Sequence, residues 1–209
     1  MTALVLNSSE LSSSRIFTVA VLLASSANIY GNAREGILDE AVPPAPANDY
    51  GVTKATSELV AALYGKRLPL IVTRPFNYTG RGQSDDFLIP KIVSHIRRRA
   101  SEIELGNLDV SRDFSDVRGV VGAYLRLLEA PAAVGGTFNI CSGHATSLGD
   151  VIELVQQISG HAIAVRVNPE FVRADEVKML CGSPARVEQA IGPLAMPSFK
   201  ETLRWMVED

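Results

Sequence analysis

The sequence has few cysteines and no long hydrophobic run, and each shortage excludes a class of protein. Its two cysteines, Cys141 and Cys181, lie far apart in the chain. They do not form the disulfide framework of a small secreted domain, and their spacing is not that of a zinc site. The apolar stretch 16–24 is too short to cross a bilayer, and only Arg15 precedes it as the basic residue of a signal peptide. We therefore expect a cytoplasmic protein with reduced thiols.

The sequence also lacks an excess of charge of either sign. It contains 20 Lys and Arg residues against 23 Asp and Glu residues, so its net charge is only -3. Such a balance gives no electrostatic reason to expect a nucleic acid or an anionic membrane as a partner. A length of 209 residues is enough for one domain with a sizeable core or for two small domains. Internal repeats and low-complexity tracts are absent.

Apolar segments typical of strands alternate with amphipathic segments typical of helices, which predicts an α/β fold with a mostly parallel sheet. A Ser-rich lead-in, residues 1–14, is expected to be disordered, and a long polar loop through Pro43 to Pro46 follows the first strand. The predicted strands are 15–24, 69–73, 103–105, 136–141 and 163–167, and the predicted helices are 50–66, 86–99, 116–129, 147–158, 184–190 and 198–207.

The residues with the clearest chemical pattern are Tyr50 and Lys54. On a helix, four residues of separation place the phenol and the ammonium on one face. A neighbouring ammonium favours the phenolate form, so the phenol becomes a usable acid or base near neutral pH. The pair alone is a weak signal, because two solvated helix residues produce the same spacing by chance.

Three further motifs accompany this pair in order along the chain. An apolar run ends in Ser25-Ser26-Ala27-Asn28-Ile29-Tyr30-Gly31, a second short strand ends in Thr73-Arg74-Pro75-Phe76-Asn77, and Gly106-Asn107-Leu108-Asp109 precedes Arg112-Asp113-Phe114. Together they resemble the extended short-chain dehydrogenase/reductases that act on nucleotide sugars. The last motif is most similar to the GDP-mannose 4,6-dehydratases and the GDP-4-keto-6-deoxymannose reductases. The resemblance runs from about Arg15 to the C-terminus.

The resemblance implies a Rossmann-like, doubly wound parallel sheet of which this chain holds only a part. Family members bind the cofactor pyrophosphate at a Gly-rich turn between a strand and a helix, and no Gly-x-x-Gly-x-x-Gly or Gly-x-Gly-x-x-Gly occurs here. Residues 15–80 then correspond to the C-terminal part of the dinucleotide-binding domain. Residues 81–209 correspond mainly to a small α/β substrate-binding portion, with 111–141 returning to the main sheet. We expect the first strand to present an unpaired apolar edge.

Carried over residue by residue, the resemblance implies a catalytic site of Ser26, Tyr50 and Lys54. Ser26 would hydrogen-bond the sugar oxygen, Tyr50 would be the acid or base, and Lys54 would tune Tyr50 and hold the nicotinamide ribose. Ser25, Pro75 and Phe76 join Tyr50 and Lys54 as expected contacts of NADP or NAD. For Pro75, the other interpretation is a turn that proline forces after a strand.

The resemblance also implies contacts with the nucleotide sugar. Asn28 and Asn77 would contact the sugar, Arg112 and Arg173 its phosphates, and Glu176 a ribose hydroxyl. A surface ion pair with Asp113 or Asp116 is the other interpretation of Arg112. Ala174 stands where the family usually has proline, which weakens the expectation for Arg173 and Glu176.

The position of Asn28 separates the reactions of the family. The 4,6-dehydratases carry a glutamate there as the base that removes a proton from C5, and an amide cannot do this. We therefore expect a reductase of the C4 ketone of a GDP-4-keto-6-deoxyhexose that uses NADPH or NADH. A GDP-mannose 4,6-dehydratase and a sugar 4-epimerase are the alternatives within the family, and a truncated non-catalytic member or partner subunit is the alternative of another functional class. Relatives also suggest a homodimer.

Overall fold

The computed structural model of the protein describes residues 20–32, 35–172 and 177–208, together with the backbone of residues 4–6. Within these ranges the strands are β1 (Leu4–Leu6), β2 (Val21–Ala24), β3 (Gly36–Leu38), β4 (Leu70–Pro75), β5 (Asn77–Thr79), β6 (Glu102–Leu105), β7 (Ser111–Asp116), β8 (Thr137–Ile140), β9 (Ala145–Ser147), β10 (Ala164–Val167) and β11 (Met179–Gly182). The α-helices are α1 (Asp49–Tyr64), α2 (Leu88–Arg97), α3 (Val117–Glu129), α4 (Leu148–Ser159), α5 (Ala185–Ile191) and α6 (Phe199–Val207).

The main sheet has the strand order β1-β2-β4-β8. Strands β2, β4 and β8 run parallel, as the alternation of strands and helices predicts. The edge of β2, which we expected to be unpaired, carries β1 in antiparallel pairing, with Leu4 opposite Leu23. Strand β1 also falls inside the predicted lead-in, whose other residues lie outside the described ranges, as do residues 15–19 of the predicted first strand.

A second sheet has the order β3-β11-β7-β5, with β9 antiparallel to β7. Four of its members (β5, β7, β9 and β11) were not anticipated, and β3 falls in the predicted polar loop. These strands are short, and the pairing that defines them joins distant segments, as when Cys181 pairs with Ile37. Of the range 111–141, β8 lies in the main sheet, whereas β7 lies in the second sheet. A separate parallel pair joins β6 to β10.

Side chains satisfy the first backbone donors of α1, α3, α4 and α6, whereas α2 and α5 begin without a side-chain cap. Asn48 caps α1, because its side-chain oxygen accepts a hydrogen bond from the Gly51 backbone at 2.8 Å. At the predicted start of α4, Ser147 is the N-cap and forms a reciprocal capping box with Asp150. The first of these caps fixes the start of the helix that carries Tyr50 and Lys54.

Three clusters of buried apolar side chains form the core. One joins the main sheet to α3 and α5 through Leu22, Ile71 and Leu127. Another joins α2, α4 and α6 through Ile92, Val151, Leu203 and their neighbours. The third, which includes Ile29, Tyr30 and Phe76, lies under the predicted catalytic residues. In the part of the chain that the structure describes, no helix is long and apolar enough to span a bilayer.

Candidate active site

The site is built where the chain leaves β2 and meets α1. Ser26 lies two residues after the end of β2 and caps a 3₁₀ helix, Ala27–Tyr30. This short helix packs against the first turn of α1, where a Cβ on Gly51 would lie 2.7 Å from the Asn28 backbone oxygen. Glycine at this position therefore lets the segment with Ser26 and the helix with Tyr50 approach closely.

The hydroxyl of Ser26 is oriented by Asn28. Its oxygen accepts hydrogen bonds from the Asn28 backbone N–H and from the Asn28 side-chain amide, both at 3.1 Å. A serine hydroxyl has two acceptor lone pairs and one proton. With both acceptor positions used, the proton of Ser26 is the part left to donate to a ligand oxygen.

Of the three predicted catalytic residues, Lys54 and Ser26 are buried, and each is only 6% exposed. Its ammonium donates a hydrogen bond to the backbone oxygen of Ala24, at the end of β2, over 2.9 Å. Burial lowers the pKa of Lys54, because a low-dielectric surrounding disfavours the charged form. The carboxyl end of β2 thus fixes both Ser26 and the lysine ammonium.

Tyr50 lies in the first turn of α1 and is half exposed. The ammonium of Lys54 lies 5.6 Å from the centre of its ring, as the four-residue spacing predicts. The phenol is therefore open to a ligand on one side and faces a cation on the other. Such a group can exchange a proton with a ligand oxygen.

In the segment Pro75–Asn77, Pro75 and Phe76 are buried and Asn77 is exposed. The side chain of Phe76 is buried and packs against Tyr30, with ring centres 6.2 Å apart. A ligand could reach this position only through the backbone. Asn77 is exposed, and its amide donates to the backbone oxygen of Asp113 over 3.3 Å. Asn77 is thus held beside the third sequence motif.

The predicted phosphate ligands are only partly described. The guanidinium of Arg112 donates to the backbone oxygens of Ser111 and Val177, at 2.9 and 3.0 Å. Arg173 and Glu176 lie outside the described residues. Asp113 is fully buried and accepts hydrogen bonds from the backbones of Ser142, Gly143 and Gly182, so it ties the loop after β8 to β11.

Sequence reasoning missed a buried polar network next to these residues. Arg74 forms a bidentate ion pair with Glu58, and its guanidinium also donates to the Tyr30 hydroxyl. The Tyr30 hydroxyl in turn donates to Asn139 over 2.7 Å. Two signals could have revealed the network: Arg74 is a charged residue in an otherwise apolar strand, and Glu58 follows Lys54 by one helical turn.

A second missed residue is Tyr124, which the helical pattern of α3 assigned only to an apolar stripe. Burial raises its pKa to about 12, although a hydrogen bond with Thr73 acts in the opposite direction. It therefore stays protonated at neutral pH. At the end of β2, the Ser25 hydroxyl is buried and makes no hydrogen bond within the described part of the protein.

Nothing in the described ranges suggests a metal site, since no group of three or more His, Cys, Asp or Glu side chains is arranged to hold an ion. Cys141 and Cys181 are free and buried, and burial raises the pKa of both thiols. A cleft of about 490 Å³ lies elsewhere, between α2 and the loop after β5, where Arg81 and Arg97 line it. It does not include Ser26, Tyr50 or Lys54.

Two features indicate the class of protein: a parallel sheet whose strand β2 leads into Ser26, and a helix on which Tyr50 and Lys54 lie together, with the Lys54 ammonium bonded to the end of β2. Residues 5–206 match the family model described as GDP-mannose 4,6 dehydratase. The chain belongs to this family, as the sequence motifs indicated.

Two relatives and one solved structure are similar to most of this chain. The chain is 35% identical over 204 residues to the GDP-6-deoxy-D-mannose reductase of Pseudomonas aeruginosa, covering 93% of this chain and 67% of the relative. It is 35% identical over 174 residues to a GDP-6-deoxy-D-talose 4-dehydrogenase of Aggregatibacter actinomycetemcomitans, covering 83% of this chain and 59% of the relative. The structure of RMD from Pseudomonas aeruginosa complexed with NADPH superposes with a TM-score of 0.84 at 34% identity, covering 93% and 67%. The chain thus spans 59 to 67% of the length of these relatives.

Proposed function

We propose that the chain supplies the catalytic and sugar-binding part of an NAD(P)-dependent oxidoreductase that reduces the C4 ketone of a GDP-4-keto-6-deoxyhexose. The observation that carries the proposal is the hydrogen bond of the Lys54 ammonium to Ala24, two residues before Ser26, with the half-exposed Tyr50 ring next to that ammonium. Two relatives at 35% identity, named as a GDP-6-deoxy-D-mannose reductase and a GDP-6-deoxy-D-talose 4-dehydrogenase, support both the substrate class and the C4 position.

The residues at the end of β2 suit the nicotinamide end of such a site. Lys54 is held at Ala24, and the buried Ser25 hydroxyl offers a polar group to a ligand at the same strand end. The pyrophosphate turn of the family does not occur among the 209 residues. NADP or NAD, when bound, supplies or accepts the hydride. The relative bound to NADPH favours NADP.

The roles of the chain's own residues follow from their geometry. Ser26 donates its remaining proton to the ketone oxygen and polarises the carbonyl. Tyr50 delivers the proton that this oxygen needs as it becomes a hydroxyl, and Lys54 stabilises the phenolate that is left. Reduction needs no base at C5, so an amide at Asn28 is compatible with it.

The remaining contacts belong to the nucleotide sugar. Asn77 is exposed beside the site and suits a contact with the sugar. Arg112 carries a forked guanidinium that suits a diphosphate. Arg173 and Glu176 stay predictions from the resemblance.

A homodimer is part of the proposal. The outer face of α1 exposes an apolar stripe of Val52, Leu59, Val60, Leu63 and Tyr64, with Leu59 72% and Leu63 78% exposed. A contiguous apolar stripe of this kind is typical of a protein–protein contact. The Leu63→Glu variant should shift the mass measured by light scattering from dimer to monomer, and an unchanged mass would exclude this face.

The same proposal places the protein in the cytoplasm, where reduced thiols persist.

The test of the reaction uses the 209-residue chain joined to the remaining part of the Pseudomonas aeruginosa relative. With NADPH and a GDP-4-keto-6-deoxyhexose, we expect oxidation of NADPH and a 6-deoxyhexose product. With GDP-mannose and NADP, we expect no 4-keto-6-deoxy product. Formation of that product would make the protein a dehydratase, and interconversion of C4 epimers would make it an epimerase. A folded chimera without any of these activities would support the non-catalytic alternative.

A further inference from the structure

Arg74 is buried in β4, and each of its three guanidinium nitrogens donates a hydrogen bond. Its Nε donates to Glu58 over 3.0 Å and its second terminal nitrogen donates to the same carboxylate over 2.7 Å. Its other terminal nitrogen donates to the Tyr30 hydroxyl over 3.1 Å. Both charged side chains of the pair are shielded from water, with 8% of Arg74 and 14% of Glu58 exposed. A shielded pair with this geometry holds its two backbones at a fixed distance.

The network continues beyond Tyr30. The Tyr30 hydroxyl donates to the side-chain oxygen of Asn139 in β8, whose amide nitrogen donates to the backbone oxygen of Leu38 over 3.0 Å. The backbone N–H of Asn139 donates to Glu40 over 2.6 Å. One connected set of hydrogen bonds therefore joins α1, the 3₁₀ helix, β4, β8 and the segment after β3.

The two elements that Arg74 joins are the ones that carry the proposed catalytic residues. Glu58 follows Lys54 by one turn of α1, on the same face of the helix. Tyr30 is the last residue of the 3₁₀ helix that Ser26 begins. The position of one guanidinium is thus linked to the position of both Lys54 and Ser26.

We propose that Arg74, through its pair with Glu58 and its hydrogen bond to Tyr30, is a positioning residue that holds the Lys54 ammonium at the end of β2 beside Ser26. Only the catalytic meaning of this placement rests on the proposed function. The placement itself is a property of the 209-residue chain. The placement can be measured without turnover. A failure of the placement can therefore be distinguished from a failure of the proposed reductase function.

The experiment measures the acylation rate of each lysine in the folded chain by a water-soluble succinimidyl ester, with peptide mass spectrometry as the readout. The chain has only five lysines: Lys54, Lys66, Lys91, Lys178 and Lys200. Buried Lys54 should react slowly and exposed Lys66 quickly. In Glu58→Gln, which keeps the shape and removes the charge, Lys54 should react about tenfold faster or more, because a buried arginine left without its partner frees the local structure.

The matched control is Asp116→Asn. Asp116 is also a buried carboxylate in a bidentate pair, with Arg118 at 2.9 and 2.6 Å, but it lies at the start of α3. Its substitution should leave the Lys54-to-Lys66 rate ratio unchanged. A ratio that does not change in Glu58→Gln, or that rises equally in Asp116→Asn, would reduce the Arg74 pair to general support of the fold. If Glu58→Gln does not fold, Glu58→Asp carries the same test, since it keeps the charge and shortens the reach by one methylene.

Discussion

Tyr50 and Tyr64 are two phenols on one helix with nearly equal exposure, 50% and 45%, but only Tyr50 faces Lys54. We expect Tyr50→Phe to lower the turnover of the active chimera by about 10²-fold or more while the fold is kept, because the variant removes only the proton donor. Tyr64→Phe should leave turnover within about twofold, since a surface hydroxyl of this helix takes no part in proton transfer. Steady-state NADPH oxidation measures both. Near-normal turnover in Tyr50→Phe would remove the residue from the mechanism.

The environment of Asp116 leads to a prediction of how the free energy of unfolding depends on pH. Burial by itself would raise the pKa of this carboxyl, but hydrogen bonds from the Arg118 side chain, the Thr202 hydroxyl and the Arg118 backbone outweigh burial and lower it. A lowered pKa adds stability that is fully present above the unfolded value, about 3.9, and is lost as the pH falls through the folded value. The free energy of unfolding should therefore fall below about pH 4, less steeply in Asp116→Asn. Urea titrations from pH 6 to pH 3 provide the measurement, and parallel curves for the two proteins would contradict the assignment.

At the scale of elements, two glycines inside helices are expected to respond oppositely to alanine. In α1 a Cβ on Gly51 would meet the Asn28 backbone oxygen at 2.7 Å and Pro46 at 3.0 Å, whereas in α3 a Cβ on Gly122 would have nothing within 4 Å. Gly51→Ala should cost about 1–3 kcal/mol through overpacking. Gly122→Ala should gain about 0.5–1 kcal/mol, because alanine favours the helix. Chemical denaturation tests the pair, and the same sign in both variants would refute the close approach of the 3₁₀ helix to α1.

The helices and the short strands differed in how well the sequence predicted them. The helix with Tyr50 followed from an amphipathic period, and the start of α4 followed from a serine and an aspartate at capping positions. Strand β7 has the sequence SRDFSD, in which no apolar alternation is visible. It is a strand because β11, β5 and β9 pair with it, and those partners come from other parts of the chain.

For the whole molecule, the missing pyrophosphate turn leads to a prediction about the cofactor. We propose only the nicotinamide end of a site for the 209-residue chain, and its sequence has no Gly-rich turn to bind the diphosphate. We therefore expect negligible binding of NADPH and NADH and no reductase activity. Isothermal titration of the purified chain with each cofactor is the measurement, and the active chimera is the positive control. A dissociation constant in the low micromolar range, about -8 kcal/mol, would show that the turn is dispensable.

The sequence by itself determined the α/β class, the family and the spacing of Tyr50 and Lys54, because these depend on local periodicity and on residues that stand close together in the chain. Only the tertiary structure decided what surrounds them. The hydrogen bonds of Lys54 to Ala24 and of Arg74 to Glu58 join residues 30 and 16 positions apart. Burial of the Phe76 side chain and the pairing of β1 with β2 likewise depend on which segments meet. Such contacts form where packing and backbone pairing give the lowest free energy for the whole chain, and no local pattern records that choice.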